Sequence, residues 1–305
     1  MSRPMLRATL AASLFVFVAA CQKDADQGAA VTAPSAATPE ATVMTSIQLL
    51  KQGDIGGLMQ NALPPADFAK AKADWGKDRD DDPISDEDRA RFDETMAKLT
   101  APDAEQALFA EIEPKLKEFD ATYQQAIPMY ATMGATTLKG MIQDNQTLSE
   151  NERTQAVAAV DAIEKWVKST RFTDPESVKK VIAIVARTAR SLDLKSLDQA
   201  RSLDYDQSMQ KARIAFTGVK DVLAVYGFSL DQTLDSVQAK TLTNDGKTAN
   251  VQLSYTLLGT PLQGTTEMVN VDGRWYGKQT IEKLKEKAEA DATSATAPAA
   301  TPSQG

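Results

Sequence analysis

Two hydrophobic periods divide this chain. From about residue 45 to 235 the apolar positions recur every three to four residues, the spacing of a helix with one buried face. Thr45 to Asn61 carries Ile47, Leu50, Leu58 and Met59, and Gly53, Gly56 and Gly57 make it one broken helix or two short ones. A helix opens at Pro64-Pro65-Ala66-Asp67 and reaches about Gly76, anchored by Phe68 and Trp75. Ser85 followed by Asp88 has the form of an N-cap for the stripe Phe92, Met96, Leu99, which ends near Thr100. Another helix starts around Asp103 with Leu108, Ile112 and Leu116, and Pro114 is expected to kink or divide it. Ala121 to Leu138 contains no charged residue, so this helix is expected to be the central one, buried on several sides. Ser149-Glu150-Asn151-Glu152 is a capping box opening the helix of Val157, Val160, Ile163, Trp166 and Val167. Thr173-Asp174-Pro175-Glu176 starts the next, with Val178, Val181, Ile182, Val185 and Leu192. The last long helix runs from about Tyr205 to Tyr226, capped by Gly227, and a short helical turn follows from Leu230.

Beyond residue 235 the period changes to two. Ala249, Val251, Leu253, Tyr255 and Leu257 alternate with polar residues, as in a half-buried antiparallel strand. Turn signals at Asn244-Asp245-Gly246, Gly259-Thr260-Pro261 and Asp272-Gly273 then define a four-stranded meander of Ser236 to Thr243, Lys247 to Leu258, Leu262 to Val271 and Arg274 to Lys278. A charged helix, Thr280 to Glu289, closes it. The fold class expected is α+β, predominantly α-helical: a multi-helix region (45–235), then the four-stranded antiparallel β-meander with its C-terminal helix (236–290), the two packed as one domain.

Both ends depart from this pattern. Residues 21–44 are rich in Ala, Thr, Pro, Asp and Gln and hold no aromatic residue, which predicts a flexible tether. Residues 291–305 have the same character and predict a disordered tail. At the start, Arg3 and Arg7 precede the apolar run Ala8 to Val18, too short to span a bilayer but of the length of an export-signal core.

Val18-Ala19-Ala20-Cys21 follows, and it resembles the lipobox of bacterial lipoproteins. The resemblance implies a signal peptide over residues 1–20, removed on export, and lipidation of Cys21, through which the chain is held at a membrane. An ordinary signal peptide with a cysteine beside its cut is the competing reading; the chain's only cysteine falling at the one position the lipobox needs favours the first. Gln22 in place of Asp after the cysteine implies, by the enteric sorting rule, the outer rather than the inner membrane.

The stretches "DGKTANVQLSYTLL" and "TEMVNVDGRWYGK" resemble the closing sheet of nuclear-transport-factor-2-like and cystatin-like domains. The likeness covers about 45 residues and implies a sheet that curls around a helix and leaves a cavity; no functional residue is carried over from it.

Charge and composition then bound the chemistry. Processing before Cys21 would remove two arginines and no acid, leaving 32 basic and 42 acidic side chains, a balance of −10. Nucleic acid is a poor partner for such a surface. The chain has no histidine and one cysteine, which removes the Ser-His-Asp triad, the Cys-His pair, imidazole or thiolate zinc sites and any internal disulfide. Asp78, Asp80 and Asp82 have the spacing of the first calcium ligands of a helix-loop-helix site, but Pro83 stands at the sharp turn that needs glycine and Arg89 where a bidentate Glu belongs. A solvated acidic loop is the expectation, with no metal, no cofactor and no catalytic residue assigned. Trp75, Met129, Tyr130, Met133, Tyr255 and Trp275 are the candidates for a ligand or partner groove, since Met and aromatic surfaces adapt to apolar partners. Ordinary core packing is the competing account. The functional expectation is a membrane-anchored periplasmic binding or interaction module of the cell envelope, holding an envelope protein or a small apolar ligand. The alternatives are a carboxylate-dependent cell-wall hydrolase or lyase and a structural accessory of an outer-membrane complex.

Overall fold

The computed structural model describes residues 38–77, 79 and 83–296. Cys21, the lipobox, residues 1–37 of the expected leader and tether, and Asp78, Asp80 and Asp82 of the acidic loop lie outside the described residues. The chain is α+β and mostly helical, as the two periods predict. Its elements are α1 (Pro39–Gln52), α2 (Ile55–Ala62), α3 (Pro65–Ala73), α4 (Asp86–Thr100), α5 (Ala104–Asp144), α6 (Glu150–Ser169), α7 (Pro175–Leu192), α8 (Leu197–Ser202), α9 (Tyr205–Val225) and α10 (Leu230–Asp235). The strands β1 (Gln238–Asn244), β2 (Thr248–Leu257), β3 (Thr260–Val271) and β4 (Arg274–Gly277) follow, then α11 (Lys278–Thr296).

The sheet is an open antiparallel meander in the order β1-β2-β3-β4. Its register places Val251 opposite Thr241 and Thr266, with a bulge in β1 between Thr241 and Thr243. At the β3–β4 turn Asp272 and Gly273 both take positive φ (52° and 81°), the left-handed pair that a two-residue hairpin requires. The alternating apolar set of β2 is the core face: Ala249 and Val251 pack with Met268, Trp275 and Val43 of α1, while Leu257 and Leu262 pack with Ala162 of α6 and Phe228. A third buried group joins Ile47 of α1 to Leu234 and Val237. Thus α1, α6 and α10 pack on the core face of β2 and β3, α11 meets β3 and β4, and α7 and α9 pack against each other beyond them.

Three differences from the sequence reading have physical causes. α1 begins at Pro39, inside the stretch expected to be tether, because Thr38 caps Ala41 N–H and proline is preset at the first helical turn; Val43 is then driven completely into the sheet core. α11 runs past Glu289 to Thr296, inside the stretch expected to be disordered tail; residues 297–305 lie outside the described residues. The largest difference is α5. It is one helix of 41 residues with Pro114 and Pro128 inside it, where two helices were expected. Each proline deprives the carbonyl four residues earlier of its donor, and those residues, Ala110 and Gln124, are exposed, so the missing bonds fall outside the buried core.

Candidate functional site

The second half of α5 is not central. Its inward line is made of small residues, Ala131 half-buried and Ala135 buried, which let α6 approach closely, and Lys139 of the same side reaches Asp161 and Glu164 of α6. Ile127 and Ile142 are half-buried, and the other large apolar side chains point away. Phe119, Met129, Tyr130, Met133, Leu138 and Met141 are each more than half exposed, and Tyr123 is 37% exposed. The expectation that an uncharged helix is buried on several sides is therefore corrected. Absence of charge here reflects an outward surface made of Met, Tyr and Thr, while the inward side is lined by Ala131, Ala135 and the half-buried Ile127.

The outward residues form an ordered line. Phe119, Tyr123, Ala126, Tyr130, Met133, Thr137 and Gly140 follow in alternating steps of four and three, the spacing that keeps one seam on one side of a helix. The threonines beside and within it hold their hydroxyls internally. Thr132 donates to the Pro128 carbonyl (2.8 Å), Thr136 to Thr132 (2.8 Å) and Thr137 to Met133 (3.0 Å), so each has its donor already satisfied. Gly134 and Gly140 lie on open space, where an added Cβ would meet nothing within 4 Å. Glycine inside a helix costs about 1 kcal/mol relative to alanine, and no contact within the chain asks for it at either place.

Electrostatics fix this helix from behind. Arg171 (2.6 Å) and the Thr173 hydroxyl hold the Asp120 carboxyl down to about 2. Lys168 and Lys139 hold Glu164 down to about 2 as well. Both folded values lie below the ordinary carboxylate values of 3.8 and 4.5, so their stabilisation is full above those values and is lost as pH falls toward 2. Hydrogen exchange along α5 is expected to accelerate between about pH 4.5 and 2 more than along α7 or α9. Asp120→Asn and Glu164→Gln should flatten that pH dependence; an unchanged profile in the double variant would show that these ion pairs do not hold α5.

Of the six residues singled out from the sequence, the structure brings together Met129, Tyr130 and Met133 and places the other three elsewhere. Trp75 packs edge-on against Tyr205 (5.5 Å between centroids), donates Nε1–H to Ser208 Oγ (3.2 Å) and lies under the Arg79 guanidinium. Trp275 is core, packed with Val43. Tyr255 is half-buried on the core face of the sheet, and burial pushes its phenol above the ordinary value. A single groove through all six does not exist. The residues missed, Phe119, Tyr123, Leu138 and Met141, were visible in the sequence only as apolar positions, which are as consistent with core as with surface.

An open depression of about 500 Å³ lies between α4 and α8 and is lined by Ile84, Phe92 and Leu197 with Arg91, Arg201 and Asp88. Asp88 is the only acid lining it, so it lacks the facing carboxyl pair of a glycosidase. No group of acidic side chains among the described residues is arranged to hold a metal ion. Arg89, at the end of the acidic loop, is committed to Asp198 (2.9 Å) and Asp86 (3.1 Å). No described helix is long and apolar enough to cross a membrane. The fold and site thus define a mostly helical α+β chain with an exposed apolar helix face. No family model matches it, and no curated protein and no solved structure is significantly similar to it.

Proposed function

We propose that this chain is a membrane-anchored periplasmic lipoprotein of the cell envelope that works by binding, and that its docking surface is the outward face of α5. The anchoring half rests on the sequence Val18-Ala19-Ala20-Cys21, with Gln22 favouring the outer membrane. The single observation that carries the binding half is the run of Tyr123, Met129, Tyr130, Met133 and Leu138 in solvent along one uncharged stretch of helix, continued at its two ends by Phe119 and Met141. Contiguous apolar surface of this kind on a net acidic chain marks an interaction site. Methionine and tyrosine suit the task, because both present apolar area at low cost in hydration and adapt to a partner's shape.

The test is in-cell photo-crosslinking from position 133 in the lipidated protein, with position 219 as a control. Val219 is equally solvent-accessible (55%) but stands on α9. A discrete crosslinked product is expected from position 133, lost when Tyr130→Asp is added, and absent from position 219. Equal labelling from both positions would refute an α5 docking surface. In parallel, Cys21→Ala is expected to leave the membrane fraction; firm retention there would refute anchoring through Cys21.

A further inference from the structure

We infer that the partner seated on α5 is a second copy of this chain, paired antiparallel about a two-fold axis at Tyr130. This deepens the docking reading and depends on it. Three observations lead to a second copy rather than to an unrelated partner or a lipid surface.

The first is charge. The chain carries a net charge of −8, so two copies repel over most of their surfaces. Residues 121–138 offer an exposed apolar stretch where one acidic copy meets another without facing like charge. The second is spacing. The alternation of fours and threes from Phe119 to Gly140 is the seam by which two helices pack side by side, and it lies on the solvent side, not on the side turned to α6. Gly134 and Gly140, open and without internal purpose, let a second backbone come close.

The third fixes the direction. Outside the uncharged stretch, where Lys117, Asp120 and Lys139 are ion-paired within the chain, Lys115 and Asp144 are both exposed, and neither side chain has an ion-pair or hydrogen-bond partner among the described residues. By helical phase both lie on the seam's side. They stand at nearly equal distances from Tyr130, with about 43 Å between them at 1.5 Å per residue. In an antiparallel pair Lys115 of each copy reaches Asp144 of the other, twice by symmetry. A parallel pair would set lysine against lysine and aspartate against aspartate. The same antiparallel register layers the seam residues Phe119 with Gly140, Tyr123 with Thr137 and Met133 with Ala126 of the other copy, so large side chains meet smaller ones, and Tyr130 meets its own copy.

Size sets the strength. A face about 43 Å long and about 10 Å wide buries on the order of 900 Å² over both copies, below the 1,200–2,000 Å² of stable complexes and in the range of weak, transient ones. Association in the micromolar range or weaker is expected. Copies anchored on one membrane through Cys21, as proposed above, would meet at a raised effective concentration.

The experiment uses the full chain with Cys21→Ser, so that an introduced cysteine is the only thiol. Tyr130→Cys is expected to form a disulfide-linked dimer under mild oxidation, as is an equimolar mixture of Lys115→Cys and Asp144→Cys chains, whereas Val219→Cys is expected to stay monomeric. Sedimentation velocity of the chain without introduced cysteines should show concentration-dependent dimerisation. Lys115→Asp is expected to weaken it about tenfold, as is Asp144→Lys, and the two changes in one chain should restore it. Tyr130→Asp, an exposed site whose change should leave the circular dichroism spectrum unaltered, should weaken it on the order of 100-fold. A monomer at every concentration, a dimer indifferent to Tyr130→Asp, or single charge reversals that the double does not rescue would each overturn the antiparallel self-pairing. If the chain stays monomeric while position 133 still crosslinks to a different protein, self-pairing fails and docking through α5 stands. If position 133 crosslinks only to lipid or within its own chain, both fail.

Discussion

Replacing Trp166 by alanine is expected to lower the stability of the fold by about 3 kcal/mol, within the range typical of truncating a large aromatic residue. Trp166 sits on α6 where that helix meets both the sheet and the end of α9. Its ring stands edge-on to Phe172 (5.5 Å) and Phe228 (5.4 Å), and its Nε1–H donates to the Tyr226 carbonyl at 2.8 Å. Phe228 in turn belongs to the buried group of Ala162, Leu257 and Leu262. Alanine removes the ring contacts and leaves the Tyr226 carbonyl without this donor, and the tilted Phe172–Tyr226 pair (4.9 Å) loses its neighbour. Trp166→Phe keeps an aromatic ring but not the donor and should cost only about 1 kcal/mol more than the ring's reduced area. Urea unfolding followed by far-ultraviolet circular dichroism measures both. A loss below about 1 kcal/mol for Trp166→Ala would show that α6 is held to the sheet by other contacts.

Gly218→Val is expected to cost about 3 kcal/mol by forcing α7 and α9 apart. Gly218 is buried in α9, and a Cβ placed there would stand 2.5 Å from Thr188 Oγ1, 2.9 Å from its Cγ2 and 3.2 Å from its Cβ. Rotation of Thr188 does not relieve the contact, because Oγ1 and Cγ2 both face that point, any staggered rotamer keeps at least one heavy atom there, and the Thr188 Cβ stays at 3.2 Å. Propensity alone argues the other way, since glycine within a helix is worse than alanine by about 1 kcal/mol. The sign of the measured change therefore reports the interhelical contact directly. Thr188→Ala in the same chain should recover a large part of the loss, and additivity of the two changes would refute the contact. Neither prediction touches the outward face of α5, so both variants that still fold should retain the association behaviour of the parent chain.

The limits of what was legible are clearest at three places. The capping box at Ser149 and Glu152 is present in full, with the Ser149 N–H donating to Glu152 Oε2 (2.8 Å), and it was visible because it is a local pattern of residue types. α1 carried the same kind of signal in Thr38-Pro39-Glu40, but composition outweighed it: residues that look like tether become helix when Val43 and Ile47 have a sheet to cover. The α8 turn, opened by Ser196 capping Gln199 N–H, is too short to show any period at all.

The candidate site shows the same division more sharply. That Met129, Tyr130 and Met133 belong together follows from their spacing on one helix. That they face solvent does not, because apolarity says a side chain prefers burial and never says whether the chain supplies the cover. Trp75, Tyr255 and Trp275 had the same apparent chemistry and ended on Tyr205 and in the sheet core.

By itself, then, the sequence determined what is local or additive. It set the helical and strand periods, the caps and hairpin turns, the alternation that makes one face of β2 the core, the absence of histidine, and the Cys21 motif with the charge around it. Each depends on neighbours within a few residues or on a sum over the chain. The tertiary structure decided what depends on which surfaces meet. It placed α1 and α6 on the sheet, turned the alanines of α5 inward against α6, and left its tyrosines and methionines outside. The physical reason is that α5 is held on one side only, its second half by α6 through small residues and the ion pairs of Lys139, and its first half also by α7 at Phe109 and Glu105, so the larger apolar face has no cover within the described residues and stands where a partner can reach it.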